Sequence, residues 1–227
     1  MKIAVAGTGY VGLVTGVCLS EHGHEVTCVD VDENKVKMME SGKSPIYEPG
    51  LEELMVKNMD HLYFTTDYKK AYVDADVIII AVGTPEKRDG SANLAYVFGV
   101  ASQIAASISK ECVVIVKSTV PIGTNDEVER LLNENPLELR VHVASNPEFL
   151  AQGTAVPDTM HASRIVLGVN DDFAKEKLLE MYKNFDAPVM VCNRRSAEMI
   201  KYASNDFLAL KISYMNEIAN LCEAIGA

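Results

Sequence analysis

Between residues 2 and 192 the chain switches repeatedly from short apolar, β-branched runs to stretches with helical spacing. Strands buried on both faces read as such near-continuous apolar runs, so the alternation points to a parallel sheet with helices on both faces. The runs predict strands over 2–6, 25–30, 62–65, 77–82, 113–118, 141–145, 164–169 and 188–192. Helical patterns fall over 11–22, 33–41, 51–57, 94–108, 125–133, 172–184 and 196–225. The alternation reads as βαβ throughout. No repeat, low-complexity tract or Gly/Ser linker interrupts it, so the expected architecture is α/β, one doubly wound, mostly parallel sheet to residue 195. The last pattern, 196–227, is longer than an ordinary globular helix. Ile200, Ala203, Phe207, Leu210, Tyr214, Ile218 and Leu221 form an apolar stripe at helical spacing along it, which needs a surface to pack against. The expected role is a connector that carries a further domain, a homodimer interface, or both.

Composition narrows the function classes. With 227 residues, 48% of them apolar, the chain can build a large core. A net charge of −11 argues against nucleic acid, whose binding surfaces are basic. It leaves room for an anionic small ligand, because the local field decides such binding. The longest apolar run, 77–82, is far short of the roughly 20 residues of a membrane helix. The apolar residues 3–6 run directly into glycines, unlike a signal peptide, so no membrane is involved and a cytoplasmic protein is expected. Five cysteines, odd in number and mostly set in apolar runs, read as reduced buried thiols. His22 and His24, two residues apart, do not share a helical face, and no metal site is expected.

Gly7-Thr8-Gly9-Tyr10-Val11-Gly12 closes the first strand and opens the first helix, the setting that a dinucleotide fingerprint requires. Gly7 suits the tight turn, Gly9 the approach of a pyrophosphate and Gly12 the close packing of helix on strand. The first helical residues, Tyr10 and Val11, present their amides to the phosphates. Asp30 follows the second strand, eighteen residues beyond Gly12, where an acid meets the adenosine ribose. A carboxylate there repels a 2′-phosphate, so a Rossmann-type domain binding NAD rather than NADP is expected.

Further polar groups stand at other strand ends, where open α/β sheets bind ligands. Thr84 follows one apolar run and Thr119 another; each serves equally as a strand-end cap. Glu148, in Asn146-Pro147-Glu148-Phe149-Leu150, is placed to act as acid, base or hydroxyl acceptor beside a nicotinamide, or simply to favour a helix N-terminus. Lys201 and Asn205, four residues apart, share a helical face. A lysine there can stabilise a developing alkoxide or remain a solvated surface charge.

In order, GTGYVGL, the VD at 29–30, PIYEPGLEEL, VGTP, KSTVPIGT, SNPEFL, SRIVLG and AEMIKYASNDFLALKIS resemble the UDP-glucose/GDP-mannose dehydrogenase family over the whole chain. PIYEPGLEEL is more similar to the UDP-glucose branch than to the GDP-mannose or UDP-N-acetyl-mannosamine branches. The resemblance implies an NAD-dependent four-electron oxidation of a UDP-hexose at C6, UDP-glucose to UDP-glucuronate, through a cysteine thiohemiacetal and a thioester. It implies that Thr119 holds a catalytic water, that Glu148, with Phe149 and Leu150, lies in the sugar and water network, and that Lys201 and Asn205 surround the reacting oxygen. Asp30, Lys35 and Thr84 would hold NAD, with Thr119 and Gln152 at the same cofactor. Gln152 stands where the family typically has a second glutamate, and an amide cannot accept a proton, so Glu148 carries that role alone or the second step slows. The family's GxGGxCxPKD-like segment, with the nucleophile and the sugar-nucleotide domain, is expected beyond Ala227, and 1–227 alone is expected to be inactive. Two other readings share a glycine-rich domain: a 6-phosphogluconate or 3-hydroxyacid dehydrogenase, which would lack NPEFL and PIYEPGLEEL, and a stand-alone NAD-binding module.

Overall fold

The structure is a computed structural model that describes residues 1–227. β1 (Lys2–Ala6), α1 (Tyr10–Glu21), β2 (Glu25–Val29), α2 (Glu33–Glu40), α3 (Leu51–Lys57) and β3 (Leu62–Thr65) form its first half-sheet. α4 (Tyr68–Tyr72) leads to β4 (Val77–Ile80), α5 (Ala95–Ala105), β5 (Cys112–Val116), α6 (Thr124–Leu132) and β6 (Val141–Ser145). α7 (Ala155–Met160), β7 (Ile165–Gly168), α8 (Asp172–Met181), β8 (Val189–Cys192) and α9 (Arg194–Ile225) complete the chain.

The eight strands lie in the order β3-β2-β1-β4-β5-β6-β7-β8. The order reverses between β1 and β4, which opens a crevice above their carboxyl ends. Every residue of β4, β5 and β6 is buried, because helices seal both faces. One core packs α1, α2, α3 and α8 on one face; the other packs α4, α5 and α6 opposite. The expected doubly wound sheet is therefore present. No helix is long and apolar enough to cross a membrane.

The expected βαβ alternation fails once. β7 runs antiparallel to β6, paired at Ser145 and Gly168. The chain leaves β6 at the sheet's carboxyl edge and returns into β7 from that same edge, so no crossover is made and residues 146–164 stay there as a long loop bearing only α7. The short helices α4 and α7 were outside the expected set. Several strands end before their apolar runs do. Asp30, 81–82 and 117–118 have already left the ladder and turned over the edge.

α9 starts two residues before the expected 196. The Asn193 side chain accepts from the Ser196 amide at 2.8 Å and caps it. Its 32 residues extend about 48 Å, yet only Arg194, Ala197, Glu198 and Lys201 are buried. Glu198 accepts from the amides of Gly123 (2.6 Å) and Asn125 (2.9 Å), and Arg194 bonds Asp126 (2.9 Å) and Glu129 (2.6 Å), which pins these first turns to α6. Close approach to β7 is possible because Gly168 lacks a side chain; a Cβ there would lie 2.5 Å from the Ala197 methyl. Beyond Lys201 the stripe is in solvent, with Phe207 68% exposed and Leu210, Tyr214 and Leu221 similarly bare.

Candidate active site

The glycine-rich turn adopts the shape its spacing anticipates. Gly7 has φ +97°, and a Cβ there would meet the Ala81 carbonyl oxygen at 2.8 Å. A Cβ on Gly12 would fall on the Gly7 carbonyl, so only glycine lets α1 approach β1 this closely. Gly9 faces open space, and no side chain caps α1. The first-turn amides of Tyr10 and Val11 are thus left for an anion.

Beside this turn is a cleft of about 470 Å³ bordered by Gly7, Gly9, Asp30, Val31, Lys35 and Gly83. Asp30 Oδ2 accepts from the Thr8 amide (3.0 Å) and hydroxyl (2.5 Å), and Oδ1 from the Asp32 amide (3.0 Å). Burial works against its charge, but these hydrogen bonds outweigh burial and hold the carboxyl below the ordinary aspartate range. Oδ1 retains capacity for a further donor, such as a ribose hydroxyl. An uncapped helix start, a glycine that opens on the cleft and a carboxylate with a free lone pair together suit a dinucleotide. Thr8, which orients Asp30, occupies a variable position of the glycine motif, and nothing in the motif distinguishes it.

The Tyr10 side chain does not enter the cleft. It turns towards residues 151–153 and bonds the buried carboxylate of Glu48. Thr84 and Thr119 are brought together: the Thr84 hydroxyl donates to the Thr119 carbonyl at 2.9 Å, and the neighbouring Ser118 hydroxyl to the Val82 carbonyl at 2.7 Å. The loops after β4 and β5 are thereby fastened side by side.

After β6, Glu148 Oε2 accepts from the Leu150 amide at 2.7 Å, and Oε1 from the Lys201 ammonium at 2.8 Å. Lys201 is buried, its side chain 8% exposed, and Glu148 is largely covered at 13%. Phe149 lies between cations, with the Arg164 guanidinium 4.4 Å and the Lys201 ammonium 5.5 Å from its ring centre. Asn205 stands one turn beyond Lys201, exposed, and Gln152 is exposed with no hydrogen bond from its side chain. The structure therefore joins Glu148, Phe149, Leu150 and Lys201 in one cluster, and leaves Asn205 and Gln152 at its rim.

Lys117, at the end of β5, was not singled out beforehand. Its ammonium is buried behind Glu148, bonded to the Asn146 side-chain oxygen (3.0 Å) and backbone carbonyl (3.4 Å), with no carboxylate in salt-bridge reach. Tyr182 donates to the same Asn146 oxygen at 2.6 Å. These groups and Glu148 border a chamber of about 250 Å³. Burial pushes the Lys117 ammonium down to about 8, against the opposing pull of Glu148. A lysine that directly follows the apolar run 112–116 was the available signal.

Comparison with known proteins agrees with this geometry. Residues 1–186 match the family model described as the UDP-glucose/GDP-mannose dehydrogenase family, NAD binding domain. The chain belongs to the UDP-glucose/GDP-mannose dehydrogenase family. Residues 195–227 match that family's central domain. UDP-glucose 6-dehydrogenase YwqF of Bacillus subtilis is 54% identical over the whole chain, which covers 52% of that relative. A UDP-glucose 6-dehydrogenase of Rhizobium meliloti is 49% identical, again over the whole chain and 54% of the relative. Among solved structures, a ternary complex of a Pseudomonas aeruginosa GDP-mannose dehydrogenase superposes with TM-score 0.96 at 40% identity, covering all of this chain and 54% of that one. A UDP-glucose dehydrogenase from Pyrobaculum islandicum gives 0.93 at 43% identity, over 95% and 51% of the two chains. The chain spans about half the length of the dehydrogenases it matches.

Lys117 supplies a pH test of the family's buried edge. Between about pH 8 and 10.5 the folded lysine binds fewer protons than the unfolded one, so its contribution to stability rises with pH across that window. Urea unfolding of wild type and Lys117→Met, compared across the window, should show the wild type gaining on the variant as pH increases. A constant difference would mean that Lys117 is as well solvated in the fold as out of it.

Proposed function

We propose that residues 1–195 form the cofactor half, and 196–227 the connecting helix, of an NAD-dependent dehydrogenase that oxidises a UDP-hexose, UDP-glucose to UDP-glucuronate, at C6. The observation that carries the reading is the buried Glu148–Lys201 pair at the same sheet edge as the Asp30 cleft. In such a reaction NAD supplies the hydride acceptor. Gly7, Gly9, Gly12 and the first-turn amides of α1 would hold its pyrophosphate, and Asp30 and Lys35 its adenosine ribose. Thr84, Thr119 and Gln152 are assigned to the nicotinamide side on the family pattern.

Lys201 is the group whose charge matches a developing oxyanion. Its present partner, Glu148, keeps it directed until a substrate oxygen competes for it. Burial by Phe149 and Arg164 excludes water around the pair, which strengthens each charge. Asn205 and Thr119 complete the ring of donors proposed around the reacting oxygen and a water. UDP-glucose is preferred over GDP-mannose because three relatives 47–54% identical to the chain carry the UDP-glucose name.

The bare stripe of α9 is proposed to pack against the same stripe of a second copy, giving a homodimer. Sedimentation of the chain should show dimer at micromolar concentration, and Phe207→Glu should shift it to monomer; a monomeric wild type would remove this part of the reading.

The cofactor assignment is tested by calorimetry. NAD should bind at least about tenfold more tightly than NADP, and Asp30→Ala should collapse that ratio, because the like-charge repulsion of a 2′-phosphate is then gone. Equal affinities in the wild type would overturn it.

Lys201 is tested in a chain extended to the length of these relatives. Lys201→Ala should lower kcat by a factor on the order of 10²–10³, as removal of other preorganised donors does. An unchanged kcat with a raised KM would reassign Lys201 to ground-state binding.

A further inference from the structure

Glu48 is an unusual buried group. It is 5% exposed, in the loop between α2 and α3, and no lysine, arginine or histidine pairs with it. A buried carboxylate without a cation requires several hydrogen bonds to remain charged. Glu48 obtains them from two other segments: the Tyr10 hydroxyl, the Gly153 amide at 2.9 Å and the Ala155 amide at 2.8 Å. Burial opposes its charge, and these donors reverse that, so its carboxyl titrates below the ordinary glutamate range.

Its position is set independently of both segments it grips. The Leu51 amide donates to the Glu48 carbonyl at 3.1 Å, Leu51 is fully buried in the core, and the Ser44 amide bonds Glu52 at 2.8 Å. Tyr10 is the first residue of α1, beside the uncapped amides of the glycine turn. Its hydroxyl accepts from the Gly153 amide at 3.1 Å and lies 3.5 Å from the Ala151 carbonyl. Gly153 holds φ +92°, a conformation that side chains disfavour. Gly153 is thus held by both Tyr10 and Glu48, while on the other side of Gln152 the Ala151 amide donates to Asp158 at 3.2 Å.

We infer that Tyr10 and Glu48 form a clasp joining the cofactor turn to residues 151–155, so that a dinucleotide held on the turn fixes the backbone on either side of Gln152. The inference rests on the reading of Gly7–Gly12 as the dinucleotide turn. Glu48 and Tyr10 act here as positioning residues: Glu48 is the fixed post, Tyr10 the part that a ligand immobilises, and the 151–155 backbone the part that responds. Phosphates seated on the first-turn amides restrict the backbone of Tyr10, which narrows the range of its ring and of the amides bonded to it. Ordering that is already present on one side lowers the cost of ordering the other, which is positive coupling without a large displacement.

Amide hydrogen exchange on the 227-residue chain, with and without NAD, reads the clasp directly. In the wild type, NAD should raise protection at Gly153 and Ala155 by about tenfold or more, in addition to the protection at 7–12. Tyr10→Phe should still bind NAD through the turn and Asp30, with affinity reduced about threefold to tenfold, as expected for one lost hydrogen bond. The added protection at 153 and 155 should disappear in it. Glu48→Gln keeps the shape but turns an amide N–H towards a backbone N–H, so it should release one of the two amides; it serves as the second variant should Tyr10→Phe not fold. NAD-induced protection at 153 and 155 that persists in both Tyr10→Phe and Glu48→Gln overturns the clasp while leaving the cofactor reading intact. Failure of the wild type to bind NAD, with no protection at 7–12, overturns both together.

Discussion

In a parallel sheet with helices on both faces, no strand interior has room for an unpaired polar group. β4, β5 and β6 are buried along their whole length, so a polar group there needs a protein partner, as His142 in β6 has in Asp171 and Glu111. Polar side chains with work to do are therefore confined to the carboxyl edge, where the chain leaves each strand. Asp30, Thr84, Lys117, Thr119 and Asn146 all occur within a few residues of a strand's end, and the loops after β4 and β5 are fastened to each other by hydrogen bonds as well as by apolar contact. The topology adds one exception that serves the same edge. Because β7 is antiparallel to β6, residues 146–164 never cross the sheet, and the edge acquires a long loop in place of a helix.

Charge at that edge is distributed unevenly. Arg194, Glu198 and Lys201 enter the interior on consecutive turns of α9, and each finds its partners there: Asp126 and Glu129, the α6 amides, and Glu148. Removing Glu148 would leave the Lys201 ammonium buried and unpaired, at a cost of about 3–5 kcal/mol. These pairs determine which face of α9 meets the sheet, and thus where its bare apolar stripe points. Lys117 and Glu48 lack counter-ions and depend on neutral hydrogen-bonding groups instead. Buried groups without a counter-charge respond most strongly to a charged ligand arriving nearby, because nothing has already neutralised them.

Much of this was readable from residue order, and the limits have physical causes. Local signals sufficed for the glycine turn, for Asp30 and for the long helix, since each depends on contacts within some twenty residues or on a single repeating period. The direction of β7 was not readable, because an apolar run carries no record of which way its strand runs. Strand ends were placed one or two residues too far along, because apolar residues continue past the ladder where they line the rim. Glu48 and Lys117 were overlooked for a different reason. The partners of Glu48 are 38 and more than 100 residues away, and those of Lys117 are 29 away, so no window of sequence contains both ends of either interaction. Tyr10 was assigned to the cofactor from its place in the motif; its backbone fits that assignment, while its side chain belongs to the clasp.

Gln152 gains its meaning from these neighbours. Of residues 146–155, Glu148 alone has a side chain that can accept or release a proton, and it is already engaged by Lys201 and the Leu150 amide. The Gln152 amide still reaches a ligand as donor and acceptor from a backbone held on both sides. What it surrenders is proton transfer, so among residues 146–155 only Glu148 can act as a base, and its Oε1 and Oε2 each keep acceptor capacity beside the Lys201 and Leu150 donors.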